Sequence, residues 1–257
     1  MEIIAFVNQK GGVAKTTTCL NVGAGLSFCG FKCLLIDLDP QGNLSTSSGL
    51  TPGENDLTTY EVLKGSDINQ AIKPGKYDVL PTDIRLSGAE LELASTAGRD
   101  FLLKEALGNL KKKYDYILID CAPSLNILTL MALTACNKIY VPVKADFLGL
   151  NGISQLLDTI ELVKKRLNPE LSIGGVILTF YDSRRGLDKE VVESLKEKFG
   201  DIVFNTAISN NIKLAEAPSF YKDIFSYAPN SNGAQQYKAL VDEIIKHETT
   251  EKRGKKK

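Results

Sequence analysis

Short, almost wholly apolar runs rich in β-branched residues recur along the chain, at 3–7, 32–36, 77–80, 116–119, 138–143 and 173–178. Between and after them lie longer stretches in which apolar residues return about every 3.6 positions, which predicts helices over 16–29, 100–113, 125–135, 150–167, 188–199 and 233–247. Strand followed by helix, repeated, describes β-α units on a parallel sheet. The strand runs do not alternate apolar with polar, so both faces of the sheet must be covered. The expected class is α/β: a doubly wound, mostly parallel sheet with helices on both faces, in a single domain.

Composition narrows the function classes. Lys plus Arg and Asp plus Glu both number 31, so the formal net charge is zero and no global basic field is available to grip nucleic acid. The five cysteines are an odd number without a C-x-x-C pair, which points to reduced thiols in an intracellular protein. Glu2 stands where a secretion signal needs bases, and the most apolar stretch, 127–143, is interrupted by Asn137 and Lys138, so neither an export signal nor a membrane span is expected. With His247 as the only histidine, a His-based zinc site or a Ser-His-Asp triad has no members. The stretch 42–76, rich in Gly, Ser, Thr, Asn and Pro, reads as a long surface excursion with one short helix around 57–63. Residues 246–257 carry six bases and two acids, and the expected division is a folded domain over 1–248 with a basic, disordered tail over 249–257.

After the first strand run comes Gln9-Lys10-Gly11-Gly12-Val13-Ala14-Lys15-Thr16-Thr17, opening a helix. Glycines let backbone N–H groups converge on phosphate oxygens, and the helix N-terminus adds partial positive charge. The expected cradle is Gly11, Gly12, Val13, Ala14, Lys15, Thr16 and Thr17, with Lys15 reaching the β and γ phosphates and the Thr16 hydroxyl ligating Mg²⁺. The general G-x-x-x-x-G-K-[ST] pattern is not met, because Gln9 and Ala14 occupy its two glycine positions. The second strand run leads into Asp37-Leu38-Asp39, two acids at i and i+2 that point the same way at the carboxyl end of a parallel strand. The run at 116–119 closes on Asp120, the form of a Walker B strand, whose carboxylate would hold Mg²⁺ through a water.

The stretches 8–17, 34–43 and 115–125 together resemble the deviant Walker A ATPases, and within them the ParA/Soj partition proteins, with a P-loop NTPase-like fold. The resemblance implies ATP and Mg²⁺ as ligands, slow ATP hydrolysis, and an ATP-dependent homodimer in which Lys10 reaches across to the partner's phosphates. It places Lys10, Lys15 and Asp39 in catalysis, with Asp39 orienting the attacking water, and leaves Asp37 to support the metal shell or the loop beside Thr16 and Asp120. Residues 121–124 match the family's γ-phosphate-sensing switch. Asn211 and Pro218 match positions that border the adenine and ribose, although Ser209 and Asn210 stand where the family has proline and arginine, and Asn230 replaces another arginine.

The same resemblance implies non-specific DNA binding, a ParB-type stimulating partner, no membrane, and a cytoplasmic, nucleoid-associated location. Arg184 and Lys213 match the family's DNA-contacting bases, and Arg185 and the Lys-rich tail are candidates to replace the missing arginines. Clustered positive charge suffices for phosphate binding. Two rivals share the phosphate loop. A MinD-like membrane-positioning ATPase needs a C-terminal amphipathic helix with exposed large apolar residues, which 248–257 does not offer. A small-molecule ligase or kinase needs a substrate pocket for which no motif is visible.

Overall fold

The computed structural model describes the backbone of residues 1–254 and the side chains of 1–146, 153 and 155–250. In chain order the elements are β1 (Glu2–Phe6), α1 (Lys15–Phe28), β2 (Cys33–Leu38), α2 (Asn43–Ser47), α3 (Thr59–Leu63), α4 (Ile68–Ala71), β3 (Asp78–Leu80), α5 (Leu86–Glu92) and α6 (Leu102–Gly108). They continue with β4 (Tyr116–Cys121), α7 (Ile127–Ala135), β5 (Lys138–Lys144), α8 (Phe147–Arg166), β6 (Ser172–Thr179), α9 (Gly186–Phe199), α10 (Ile212–Glu216), α11 (Ile224–Tyr227) and α12 (Asn232–Gly254).

The strands form one six-stranded sheet in the order β3-β2-β4-β1-β5-β6, every neighbouring pair parallel. From β1 the chain winds outward through β2 and β3, returns to place β4 beside β1, then winds the other way through β5 and β6. Loops leaving neighbouring strands therefore diverge above their carboxyl ends, where ligands sit in open parallel sheets. Each strand feeds two cores. On β2, Leu34, Ile36 and Leu38 enter one with Ile117 and Ile119 of β4, while Cys33 and Leu35 enter the other with Leu118. The first core is closed by α7 and α8 (Leu128, Met131, Leu156, Ile160), and the second by α1 and α12 (Leu20, Leu26, Tyr237, Leu240, Ile244). Each such Leu or Ile contributes about 1.5–3 kcal/mol of burial energy, which is why uninterrupted apolar runs mark the strands.

The structure departs from the sequence expectations in four places. The helix expected over 100–113 stops at Gly108, because Asn69 takes over the freed backbone groups, donating to the Asn109 carbonyl at 2.9 Å and accepting from Lys111 N–H at 2.9 Å. Residues 42–76, expected as a surface excursion with one short helix around 57–63, carry that helix as α3 and two more, α2 and α4, and the three bury Leu44, Val62, Leu63, Ile68 and Ala71. Their ends are held by side chains, with a capping box between Thr58 and Glu61 and Asp67 capping α4. The third departure is a set of helices, α5, α10 and α11, with no counterpart among the expected ones. Finally, α12 runs past 248 to Gly254, with Glu248 buried in an ion pair to Lys138 at 2.5 Å, so the helix is anchored at the very point where a loose tail is expected to begin. Lys255, Lys256 and Lys257 lie outside the described residues, as do the side chains of Lys252 and Arg253.

Candidate functional site

The loop between β1 and α1 is pinned at three points. Asn8, buried, donates to the Pro142 carbonyl at 2.7 Å and accepts from Lys10 N–H at 2.9 Å. Thr179, at the end of β6, donates to the Val13 carbonyl at 3.2 Å. Gly12 (φ 70°) and Ala14 (φ 62°) are left-handed, and Ala14 holds that conformation without glycine's freedom. A Cβ added to Gly11 or Gly12 would meet nothing within 4 Å, so the concave face of the loop is open.

That face lines a cleft of about 410 Å³ bounded by Gly11, Gly12, Ala14, Lys15, Thr16, Thr17, Asp39, Gln41, Asn43, Ser47, Pro123 and Pro218. A second pocket of about 210 Å³ shares Ala14 and Thr17 with the cleft and extends between Thr179, Phe180 and residues 208–211, with Tyr237 in its wall. Asn211 stands in this second pocket, whereas Pro218 stands in the cleft, so the two residues expected to border the nucleoside are divided between them. Asn211 also caps α10, accepting from Lys213 N–H at 2.8 Å. Gln41 and Asn43 fall inside the stretch that carried the resemblance. Thr179, Phe180 and Tyr237 had no sequence signal beyond their strand and helix, and reach the pocket through topology.

The two lysines of the loop have different surroundings. Lys15 is buried and its Nζ donates to the Lys10 carbonyl at 3.2 Å; burial lowers its pKa, while Asp120, Cys121 and Asp39 pull it back up. It is a cation stripped of water, ready for an anion. Lys10 turns away from the cleft, and its Nζ donates to both oxygens of Asp146, at 2.7 and 2.9 Å. Lys144 stands 3.6 Å from the same carboxylate.

The carboxylates divide in the same manner. Asp37 and Asp120 face each other in register on β2 and β4, both fully buried. Neither oxygen of Asp120 has a hydrogen-bond partner at normal distance and angle among the described residues, and the Thr16 side chain offsets only part of the effect of its burial. Its pKa is raised well above the ordinary range, chiefly by burial and then by the charge of Asp37. An orphaned, buried carboxylate beside the Thr16 and Lys15 end of α1 fits a divalent cation, which would supply the missing partner. Asp37 is already engaged: Oδ2 accepts from Ser45 N–H at 2.8 Å and from the Ser45 hydroxyl at 2.7 Å, and Oδ1 accepts from Asp39 N–H at 3.2 Å. Of the two roles open to Asp37, holding the loop is the one this geometry favours over joining Thr16 and Asp120 around a metal. Asp39 lines the cleft with one oxygen, Oδ1, taken by Gln41 N–H at 3.0 Å.

The expected switch, 121–124, leads from β4 to Asn126, which caps α7 by accepting from Thr129 N–H at 3.1 Å; its amide donates to Glu90 of α5. Arg184 and Lys213 emerge at the same end of the sheet as the cleft, on segments joined by the Tyr181 N–H to Ile208 carbonyl bond at 3.1 Å. They are highly accessible, at 87% and 51% side-chain exposure. Each carries an acid of its own. Arg184 grips Asp182 through Nε and Nη2 at 2.9 and 2.8 Å, holding that carboxyl well below its usual range, and Lys213 pairs with Glu216 at 2.8 Å. Arg185 lies 3.9 Å from Asp182 and is 71% exposed. The basic tail follows Glu248, which is seated where β1 and β5 begin, so α12 leads away from Arg184 and Lys213.

The AAA domain family model matches residues 1–173. The chain is 45% identical over 247 residues to the sporulation initiation inhibitor protein Soj of Bacillus subtilis, covering 95% of this chain and 98% of that one. It is 44% identical over 255 residues to the chromosome partitioning protein ParA of Caulobacter vibrioides, covering 96% and 95% respectively. A crystal structure of cobyrinic acid a,c-diamide synthase from Mycobacterium smegmatis with bound ATP analog and magnesium superposes with a TM-score of 0.84 at 35% identity, over 97% of this chain and 96% of that one. The likeness runs nearly end to end, and the chain belongs to the Soj and ParA family of chromosome-partitioning ATPases.

Proposed function

We propose that this chain is an ATP-driven switch for DNA partition, which dimerises when it holds ATP, binds DNA without regard to sequence, and lets go after hydrolysis. The observation that carries this reading is the division of labour between two lysines five positions apart. Lys15 faces its own cleft, while Lys10 stands outside it on Asp146, which supports a role for Lys10 at the phosphates of a second copy rather than its own. In hydrolysis a water oxygen bonds to the γ phosphorus as the bond to the bridging oxygen breaks, giving ADP and inorganic phosphate. Asp39 orients that water, Lys15 offsets charge on the β and γ oxygens, and the backbone of 11–17 holds the triphosphate in line. Thr16 and Asp120 would hold Mg²⁺, which when bound neutralises phosphate charge. The nucleoside occupies the pocket beside Asn211.

Non-specific DNA binding rests on Arg184, Arg185 and Lys213, with a ParB-type partner accelerating hydrolysis in the cytoplasm on the nucleoid. Because Asp182 and Glu216 offset part of this charge, one protomer offers a weak patch, and doubling it in a dimer makes binding depend on ATP. The membrane-positioning alternative lacks support in α12, whose apolar residues Tyr237, Leu240, Val241 and Ile244 are spent in the core. Among the described residues no helix is long and apolar enough to cross a membrane.

The test is binding to random-sequence DNA across a salt series, with and without ATP. Binding should require ATP, and Arg184→Glu should weaken it for all sequences alike while lowering the log–log salt slope by about one for each phosphate no longer neutralised. ATP affinity should be unchanged. DNA affinity indifferent to both ATP and Arg184→Glu would overturn the reading, and sedimentation of the ATP form with anionic vesicles would put the membrane reading in its place.

A further inference from the structure

We infer that Ser45, a buried residue of α2, is a positioning residue for hydrolysis, holding the Asp39 loop through Asp37. This rests on the proposal that Asp39 orients the water.

The direction of each hydrogen bond is fixed by chemistry. Thr82 N–H can only donate, and it donates to Ser45 Oγ at 2.8 Å. The single hydroxyl proton of Ser45 is then left to the other contact, 2.7 Å from Asp37 Oδ2, which Ser45 N–H also reaches at 2.8 Å. Asp37 passes the restraint on through Oδ1, which accepts from Asp39 N–H at 3.2 Å. The Asp39 carbonyl is held by Gly42 N–H at 2.8 Å and its side chain by Gln41 N–H at 3.0 Å, which leaves one carboxylate oxygen for a water. Thr82 touches the loop at its far end as well: Gly42 sits at φ 63°, and a Cβ there would come within 3.2 Å of the Thr82 carbonyl. Thr59 completes the clamp, its hydroxyl 2.9 Å from the Asp37 carbonyl. The loop bearing Asp39 is thus wedged between β2 and the segment after β3: the Thr59 hydroxyl ties the Asp37 and Pro81 carbonyls, and the Ser45 hydroxyl ties Thr82 N–H to the Asp37 carboxylate that holds Asp39. Ser45 itself does not line the cleft.

Removing that hydroxyl should leave nucleotide binding alone and blur the placement of Asp39, and displacement on the order of 1 Å costs roughly a hundredfold in rate. Ser45→Ala should therefore bind a fluorescent ATP analogue with an affinity within about twofold of wild type while kcat falls roughly ten- to a hundredfold. Ser45→Thr, which keeps the hydroxyl, should restore most of kcat. Should Ser45→Ala not fold, Ser45→Cys carries the same comparison, since a thiol is a much weaker donor. Wild-type kcat in Ser45→Ala or Ser45→Cys would overturn the inference, and so would a loss of analogue affinity equal to the loss of kcat. Asp39→Ala, measured alongside, separates the two readings: if it hydrolyses ATP normally, the role of Asp39 fails, whereas a slow Asp39→Ala beside a fast Ser45→Ala refutes Ser45 alone.

Discussion

Lys10 and Lys15 belong to one loop, and what distinguishes them is the oxygen each has found: a backbone carbonyl under the cleft for Lys15, a carboxylate on the neighbouring strand's loop for Lys10. Lys15→Ala should abolish binding of a fluorescent ATP analogue, because the charge it removes is buried and opposes the β and γ phosphates in a site built otherwise from neutral donors. Lys10→Ala should leave that titration nearly unchanged and weaken the proposed ATP-dependent dimer, with light scattering as the readout. Equal loss of analogue affinity in both variants would erase the distinction. That Lys15, Thr16 and Asp39 would share one cleft was legible, because such residue types at strand-to-helix junctions of a parallel sheet converge above the strand ends. Asp146 was not, since it meets Lys10 across 136 positions of sequence, and Ser45 was not, since a serine in a short polar helix carries no mark of the carboxylate it touches.

Between elements, the decisive fact is the register of β2 with β4, which sets Asp37 opposite Asp120 in the interior. Burial lifts Asp37 from 3.8 to about 7 against three donors that favour its anion, and lifts Asp120 as well. Both acids therefore bind protons more tightly folded than unfolded, so their contribution to stability is whole below the unfolded value and is lost as pH rises through the folded one. The nucleotide-free protein should melt at a lower temperature at about pH 7.5 than at about pH 5, and Asp120→Asn should flatten that difference. A melting temperature that rises across this window, in wild type and variant alike, would contradict the coupling. The strands were legible to within a residue or two because burial on both faces leaves only apolar residues. Of the short helices after β2, α3 was legible as the one expected around 57–63, whereas α2 and α4, of five and four residues, are too short to show apolar periodicity, and α4 is defined by its Asp67 cap.

Across the whole molecule the chain has two ends of opposite character. The cleft, Arg184 and Lys213 sit where strands finish, whereas a buried ionic knot sits where β1 and β5 begin, with Lys138 Nζ 2.5 Å from Glu248 and 3.9 Å from Glu2, and the Tyr140 hydroxyl 3.2 Å from Glu248. Lys138→Met keeps the buried stem and deletes the charge that offsets Glu248 and Glu2, and should cost about 3–5 kcal/mol in urea unfolding without changing ATP affinity in the folded protein. Adding Glu248→Gln should recover part of that loss, and a single variant as stable as wild type would show the knot to be slack. The knot decides how the molecule can be handled. Because Glu248 fixes the C-terminal end of α12 away from the cleft, a protein attached to a bead or sensor surface through that end would present its cleft and arginines to the solution, leaving ligand and surface no common ground to contest.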